Sequence, residues 1–255
     1  MQNQLALEVK NLTVSYHDSP VLVNVSCTVQ QGVLCALIGP NGAGKTTLLK
    51  TVLGLQKSLA GIIAVFGTSY AQVRSRVAYV PQRATVDWDF PATVFDVVIM
   101  GRYHLLGWCA RPQQKDRDSV WHALDQVGMT LHAHTPIAHL SGGQQQRVFL
   151  ARALVQQADL YFMDEPFVGV DMATEHAIVN VLKLMRTNGK TIIVVHHDLQ
   201  TVHSYFDWAL LINRSAIACG PLDTVFTQSH LHATYGRSDI SIAPTAYRAL
   251  LVCFC

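Results

Sequence analysis

A glycine loop set between an apolar run and a helix-forming run constrains this chain more than any other feature. Val33-Leu34-Cys35-Ala36-Leu37-Ile38 leads into Gly39-Pro40-Asn41-Gly42-Ala43-Gly44-Lys45-Thr46-Thr47, and Leu48-Leu49-Lys50-Thr51-Val52-Leu53 follows. The order predicts strand, loop and helix, with Gly39 and then Gly44-Lys45-Thr46 at the spacing of a phosphate-cradling loop. Glycines let successive backbone N–H groups converge on a polyphosphate without Cβ clashes, and a helix opening near Gly44 turns its positive dipole end toward the same anion. Lys45 can bridge the terminal phosphates, and the Thr46 hydroxyl can ligate the magnesium ion that travels with them.

The rest of the chain has room for a full α/β core around this loop. With 255 residues, half of them apolar, it can form one domain carrying an inserted subdomain. A net charge of +2 without any basic run argues against a nucleic-acid partner. Charged residues make up 14%, against about 25% in typical soluble proteins, which points to surface covered by other subunits. Apolar runs such as residues 191–195 and 94–100 fall far short of the roughly 18 residues that read as a membrane span. The first residues, Met1-Gln2-Asn3-Gln4, show no basic segment followed by an apolar core, so cytosolic residence is expected. The six cysteines (Cys27, Cys35, Cys109, Cys219, Cys253, Cys255) contain no C-x-x-C pair and read as reduced thiols, with Cys253-Phe254-Cys255 in a frayed tail.

Period-two alternation over residues 5–10, 12–16 and 21–29 predicts an N-terminal antiparallel β region. Strands are expected again at 61–67 and 77–80, the second ending at Pro81-Gln82. From about 93 to 157 apolar residues recur at helical spacing, which predicts an inserted helical subdomain with loops at 107–112 and 129–139. Strands return at 160–163 and 191–195, separated by a helix over 172–188 that Gly189 caps. Continuous apolar strands alternating with helices indicate a parallel sheet covered on both faces. Residues 1–237 form one expected domain, and the apolar, unpatterned 238–255 form a tail without an assigned role.

Asp164-Glu165 stands at the end of the strand 160–163, where ligands gather in parallel sheets. Two carboxylates beside a polyphosphate need a cation, so Asp164 is read as a magnesium ligand and Glu165 as the holder of an attacking water. An acid pair at such a place can also be a helix cap. A second anion-binding helix start occurs at Leu140-Ser141-Gly142-Gly143-Gln144, where backbone N–H groups and the Ser141 hydroxyl can meet phosphate. Taken alone it reads equally as a serine N-cap with flexible glycines.

In this order, 39–47, 140–144 and 160–165 resemble the Walker A, signature and Walker B motifs of ATP-binding cassette ATPases. The match runs from Tyr16 to about Leu222, nearly the whole chain. The resemblance implies ATP and Mg2+ as ligands and a P-loop NTPase core with a parallel sheet, an N-terminal antiparallel β subdomain and an inserted helical subdomain. It also implies a head-to-tail dimer of two copies, in which the signature of one (Ser141, Gly142, Gly143, Gln144) closes on ATP held by the other. Tyr16 resembles the aromatic that stacks on adenine, although a rim tyrosine would look the same. Gln82 resembles the loop glutamine that touches magnesium and water, Asp171 the dimer-loop aspartate, and His197 the switch histidine at the γ-phosphate. His196, one residue earlier on the strand, points elsewhere and is expected to pack.

A single cassette implies work done on a separate membrane protein. Trp88 and Phe90, in the segment 87–103 after Gln82, can form a socket for that permease or pack inside the helical subdomain. More narrowly, Val80-Pro81-Gln82 with 86–91, the loop 166–171 and His196-His197-Asp198-Leu199 are similar to bacterial ATPases of manganese, zinc and iron importers. Such systems add an extracytoplasmic metal-binding protein, and they set the ATPase peripherally on the inner face of the cell membrane. His132, His134 and His139 read as solvated side chains beside the signature. Alternatives are an ATPase of another importer class and a soluble cassette ATPase acting on ribosomes or DNA; a P-loop kinase leaves 140–144 without a purpose.

Overall fold

The computed structural model describes residues 4–16, 19–83, 86, 88, 90–106 and 111–236. Two 12-residue strands, β1 (Leu5–Tyr16) and β2 (Ser19–Gln30), pair antiparallel with Leu7 opposite Val29 and Val14 opposite Leu22. The two alternating runs expected at 5–10 and 12–16 are one strand. Asn11, at φ 49, marks a bulge between them and lets the inward alternation resume at Leu12.

The phosphate-loop strand β3 (Leu34–Ile38) is buried at all five positions, as expected for a strand covered on both faces. It is followed by α1 (Lys45–Val52) and by β4 (Ala60–Val65), which returns to pair with the free side of β1 and completes a three-stranded sheet β2-β1-β4. After the short helix α2 (Tyr70–Val73), strands β5 (Val77–Val80), β6 (Leu160–Met163), β7 (Thr191–His196), β8 (Trp208–Asn213) and β9 (Ser215–Pro221) join β3 in a six-stranded sheet. Its order is β5-β6-β7-β3-β8-β9, parallel except for the last, antiparallel strand.

Between β5 and β6 lie α3 (Val94–Ile99), α4 (Gln114–Gln126) and α5 (Gly142–Leu154). Each starts at a reciprocal cap: Thr93 with Asp96, Gln113 with Asp116, and Ser141 with Gln144. Their apolar faces meet through Val94, Val98, Val120, Leu124, Met129 and Val148, all buried. A buried ion pair, Arg102 to Asp116 at 3.0 Å, ties α4 to the end of α3, and Arg102 Nη1 donates to the Val155 carbonyl. The loop expected over 129–139 contains two 3-10 turns, Thr130–His132 and Ile137–His139.

Past β6, α6 (Met172–Thr187) follows the expected range and ends at Asn188 before Gly189, whose φ of 78 makes it the left-handed stop. The helices α7 (Val202–Tyr205), α8 (Leu222–Val225) and α9 (Gln228–Tyr235), together with β8 and β9, were not expected from sequence. Four-residue helices carry too few turns to show a period. The tail 238–255 and Cys109 lie outside the described residues, as do Asp87 and Asp89.

Candidate functional site

Parallel register gathers the site. Val80, Met163 and Val194 lie side by side across β5, β6 and β7, and Ile38 lies beside His196. The residues that follow these strand ends (Gln82, Asp164, Glu165, His197 and the loop opened by Gly39) are therefore delivered to one edge of the sheet, the edge at which α/β folds hold ligands.

Close packing demands glycine at the base of the loop. A Cβ at Gly39 would run into the carbonyl oxygen of Ile212 on β8, and Gly44, at φ 94, caps α1 in the left-handed region with Leu22 against it. Lys45 is buried, and its Nζ donates to the Gly39 and Pro40 carbonyls at 2.7 and 2.9 Å. An ammonium has three N–H donors, so one remains for an anion at the loop. Burial pulls the Lys45 ammonium below its usual value, while the carboxylates of Glu165 and Asp164 oppose that shift.

Asp164 is also buried. Thr46 Oγ1 donates to its Oδ1 at 3.2 Å, and among the described residues its Oδ2 has no hydrogen-bond partner. Burial pushes the Asp164 carboxyl upward, with the Thr46 hydrogen bond acting against it. A buried carboxylate with an unused oxygen beside a hydroxyl is a hard-oxygen pair of the kind that suits Mg2+. Glu165, the next residue, is half-buried and held at φ 53, a left-handed conformation that costs a residue with a Cβ about 1 kcal/mol or more. Gln82 Nε2 donates to its Oε2 at 2.6 Å.

The adjacent histidines divide at the end of β7, which is buried throughout and stops at His196. His196 is buried, its Nε2 is 2.8 Å from Thr201 Oγ1, and its ring meets Phe167, Tyr205 and Phe206 at 5.1 to 6.2 Å between centroids. Burial, aided by His197 and opposed by Asp198, lowers its pKa to about 4. His197 is exposed at the strand end.

The signature residues stand on the helical insert. Ser141 is exposed and accepts from Gln144 N, while Gln144 Oε1 accepts from Ser141 N at 2.8 Å. Gly142 and Gly143 form the first turn of α5, with Thr174 3.3 Å from where a Gly143 Cβ would stand. Gln144 Nε2 also lies 3.2 Å from His132 Nε2, so His132 is not a purely solvated side chain; His134 sits edge-on to Trp121, and His139 is exposed. Asp171 caps α6 through Thr174, accepting from its amide at 2.9 Å and its hydroxyl at 2.8 Å, and these bonds hold the carboxyl below its ordinary value.

Tyr16 is 41% exposed at the end of β1. The two aromatics after Gln82 part company: Trp88 packs edge-to-face on Phe149 at 5.0 Å and donates to the Arg83 carbonyl, whereas Phe90 is 50% exposed. Arg83 carries no sequence signal, yet it donates to Gln145 Oε1 at 3.0 Å and so joins the Gln82 turn to α5. Among the described residues no helix is long and apolar enough to cross a membrane, and no three His, Cys, Asp or Glu side chains cluster as a metal site.

Comparison with known proteins identifies the family. Residues 22–168 match the ABC transporter family. The chain is 54% identical over 230 residues to the manganese transport system ATP-binding protein MntB of Bacillus subtilis (90% of this chain, 92% of the relative). It is 55% identical over 231 residues to the zinc transport system ATP-binding protein TroB of Treponema pallidum (91% and 87%). Among solved structures, a metal-chelate type ABC transporter in an inward-facing conformation superposes with a TM-score of 0.79 at 28% identity (91% of this chain, 88% of that one). An ATP binding subunit of an ABC transporter gives 0.76 at 28% identity (89% and 94%). A family match over residues 22–168 and identity above one half over nine-tenths of the chain place this protein in the ABC transporter family as an ATPase subunit.

Proposed function

We propose that this chain hydrolyses ATP to power import of a divalent transition metal, manganese, zinc or iron, through a separate membrane permease. Identity of 54% and 55% to manganese and zinc transport ATPases is the observation that carries the metal class. The working unit is residues 1–237, with the helical insert at about 93–157.

In the proposed site, residues 39–47 cradle the phosphates with their backbone N–H groups, Lys45 neutralises the terminal phosphates, and Tyr16 stacks on the base. Thr46, Asp164 and Gln82 hold Mg2+, which when bound offsets charge on the phosphate oxygens. Glu165 orients the attacking water and takes its proton; Gln82, bonded to it at 2.6 Å, aims the carboxylate. His197 meets the γ-phosphate. Neutral His196 beneath it keeps the strand end rigid.

The exposed Ser141 at the N-terminus of α5 supports a trans role: residues 141–144 close on nucleotide held by a second copy, and Asp171 lies in the loop between the two copies. Two such sites in a head-to-tail dimer make hydrolysis cooperative. The half-exposed Phe90 beside Trp88 is where the permease is proposed to dock, holding the dimer peripherally on the inner face of the membrane. The extracytoplasmic metal-binding protein acts only through that permease.

Uptake of manganese, zinc and iron in a strain lacking this chain, complemented with wild type or with Glu165→Gln, tests the assignment. Uptake of one metal should return with wild type alone. Unchanged uptake of all three metals in the deletion strain would redirect the protein to another importer class.

A further inference from the structure

Gln82 and Arg83 are neighbours in the chain but face different partners. Gln82 reaches the Glu165 carboxylate at 2.6 Å. Arg83 turns the other way: its Nε donates to Gln145 Oε1 at 3.0 Å, and its guanidinium lies flat on the first turn of α5, with Nη1 2.8 Å from where a Gly142 Cβ would stand. The same guanidinium is 3.8 Å from the Cβ position of Gly169, in the loop that follows Glu165, and 6.0 Å from the Trp88 ring centre. Trp88 Nε1 then donates to the Arg83 carbonyl at 3.0 Å, holding the backbone from the opposite side.

These contacts leave little slack. Gln145 is buried, and its Nε2 donates to the Ile137 carbonyl, so its amide cannot turn to follow a displaced arginine without leaving a buried polar atom unpaired. A planar guanidinium against a glycine face fits only at one separation, and an ammonium cannot reproduce the fork. The Cα atoms of consecutive residues stay about 3.8 Å apart, so a displaced Arg83 backbone drags the Gln82 backbone with it. When the start of α5 moves, Arg83 follows it, and the reach of Gln82 toward Glu165 changes.

We propose that Arg83 is a positioning residue that ties the Gln82 and Glu165 pair of one ATP site to the signature loop, residues 141–144, that the same chain lends to the other site. This rests on the head-to-tail dimer proposed above. Seating of the signature on the partner's nucleotide sets Arg83, and Arg83 sets the angle from which Gln82 holds the carboxylate at home. The two sites thereby sense each other through one side chain in each copy.

The test uses the full chain and Mg-ATP. Arg83→Gln and, on the other side of the bond, Gln145→Leu are compared with wild type for turnover against ATP concentration and for binding of a fluorescent ATP analogue under monomeric conditions. Dimerisation by ATP is followed by light scattering in a Glu165→Gln background. Both variants should lower saturated turnover about tenfold, the kinetic equivalent of one charge-assisted hydrogen bond. Their Hill coefficients should fall to about 1 while analogue binding stays within about twofold, because only the coupling between sites is removed. The double variant should be no worse than either single one, and Arg83→Lys should fail to restore cooperativity. Wild-type cooperativity in Arg83→Gln, or a loss of analogue binding and turnover together with the Hill coefficient retained, overturns the inference alone. A Glu165→Gln chain that stays monomeric in ATP overturns the dimer reading and this inference with it.

Discussion

Acid should destabilise this protein through His196. The ring is 2% exposed, packed among Phe167, Tyr205 and Phe206, and among the described residues its Nδ1 has no hydrogen-bond partner. Burial is the main reason its folded-state pKa falls to about 4, from 6.5 in an exposed histidine. Between those values the unfolded chain binds a proton that the folded chain refuses. Stability is therefore intact above about pH 6.5 and drains away as pH falls toward 4, by about 1.4 kcal/mol per pH unit at the steepest. At pH 4.5 the loss from this one group is about 2.5 kcal/mol, or about 5–10 °C in melting temperature for a chain of this size. Urea unfolding at pH 7.5, 6.5, 5.5 and 4.5 should be run on wild type and on His196→Gln, whose amide keeps a donor near Thr201 without a group that titrates here. Wild type should lose stability more steeply than the variant over that range, whatever their offset at pH 7.5. Parallel curves would refute the assignment of a neutral, buried His196.

Three further outcomes follow from the site. Glu165→Gln should keep ATP binding and lower turnover about 100-fold or more, the usual scale of a positioned general base, whereas Lys45→Ala should weaken nucleotide binding itself; nucleotide-binding titration beside a phosphate-release assay separates them. Gly39→Ala should cost about 1–3 kcal/mol in urea unfolding, since its new methyl meets the Ile212 carbonyl and either β8 or the loop must shift. Wild-type stability in that variant would mean that β8 does not bound the loop.

What sequence could reveal here depended on how local each signal is. The phosphate loop announces itself because spacing, glycine and lysine all fall within nine residues, and Asp164-Glu165 because a four-residue apolar strand ends on it. Alternation likewise exposed β1 and β2, although it could not join the two halves of β1 across Asn11, since a bulge breaks the period it is read from. Arg83 and His132 were silent. Their partners, Gln145 and Gln144, lie 62 and 12 residues away, and nothing in the chain near either residue says which loop will fold against it. The choice of His197 over His196 rested on the resemblance, in which the switch histidine is the one before Asp198; His196 ends the fully buried β7, and His197, one residue past it, is exposed. The region from 202 to 235 shows the opposite limit: β8 is a continuous apolar run that length alone could have marked as a buried strand, but the four-residue helices on either side of β8 and β9 offer no period to detect.

The conformation of Glu165 connects the acid sensitivity of His196 to the proposed catalytic carboxylate. Glu165, two residues past β6, sits in the left-handed region, and two residues further on the Phe167 ring stands perpendicular to His196 at 5.5 Å between centroids. Strain of this kind persists only where surrounding packing over-determines it. Here the turn is held through Phe167, whose ring packs on His196, and through the Gln82 amide bonded to the Glu165 carboxylate. Charging His196 puts an ion against the Phe167 ring two residues after Glu165, and this should loosen the turn that sets the Glu165 carboxylate beside Gln82. Turnover should then fail with falling pH ahead of global unfolding, and in His196→Gln the acid limb of the pH profile should move to lower pH. Superimposable acid limbs for the two proteins would show that the strained turn is held by something other than this histidine.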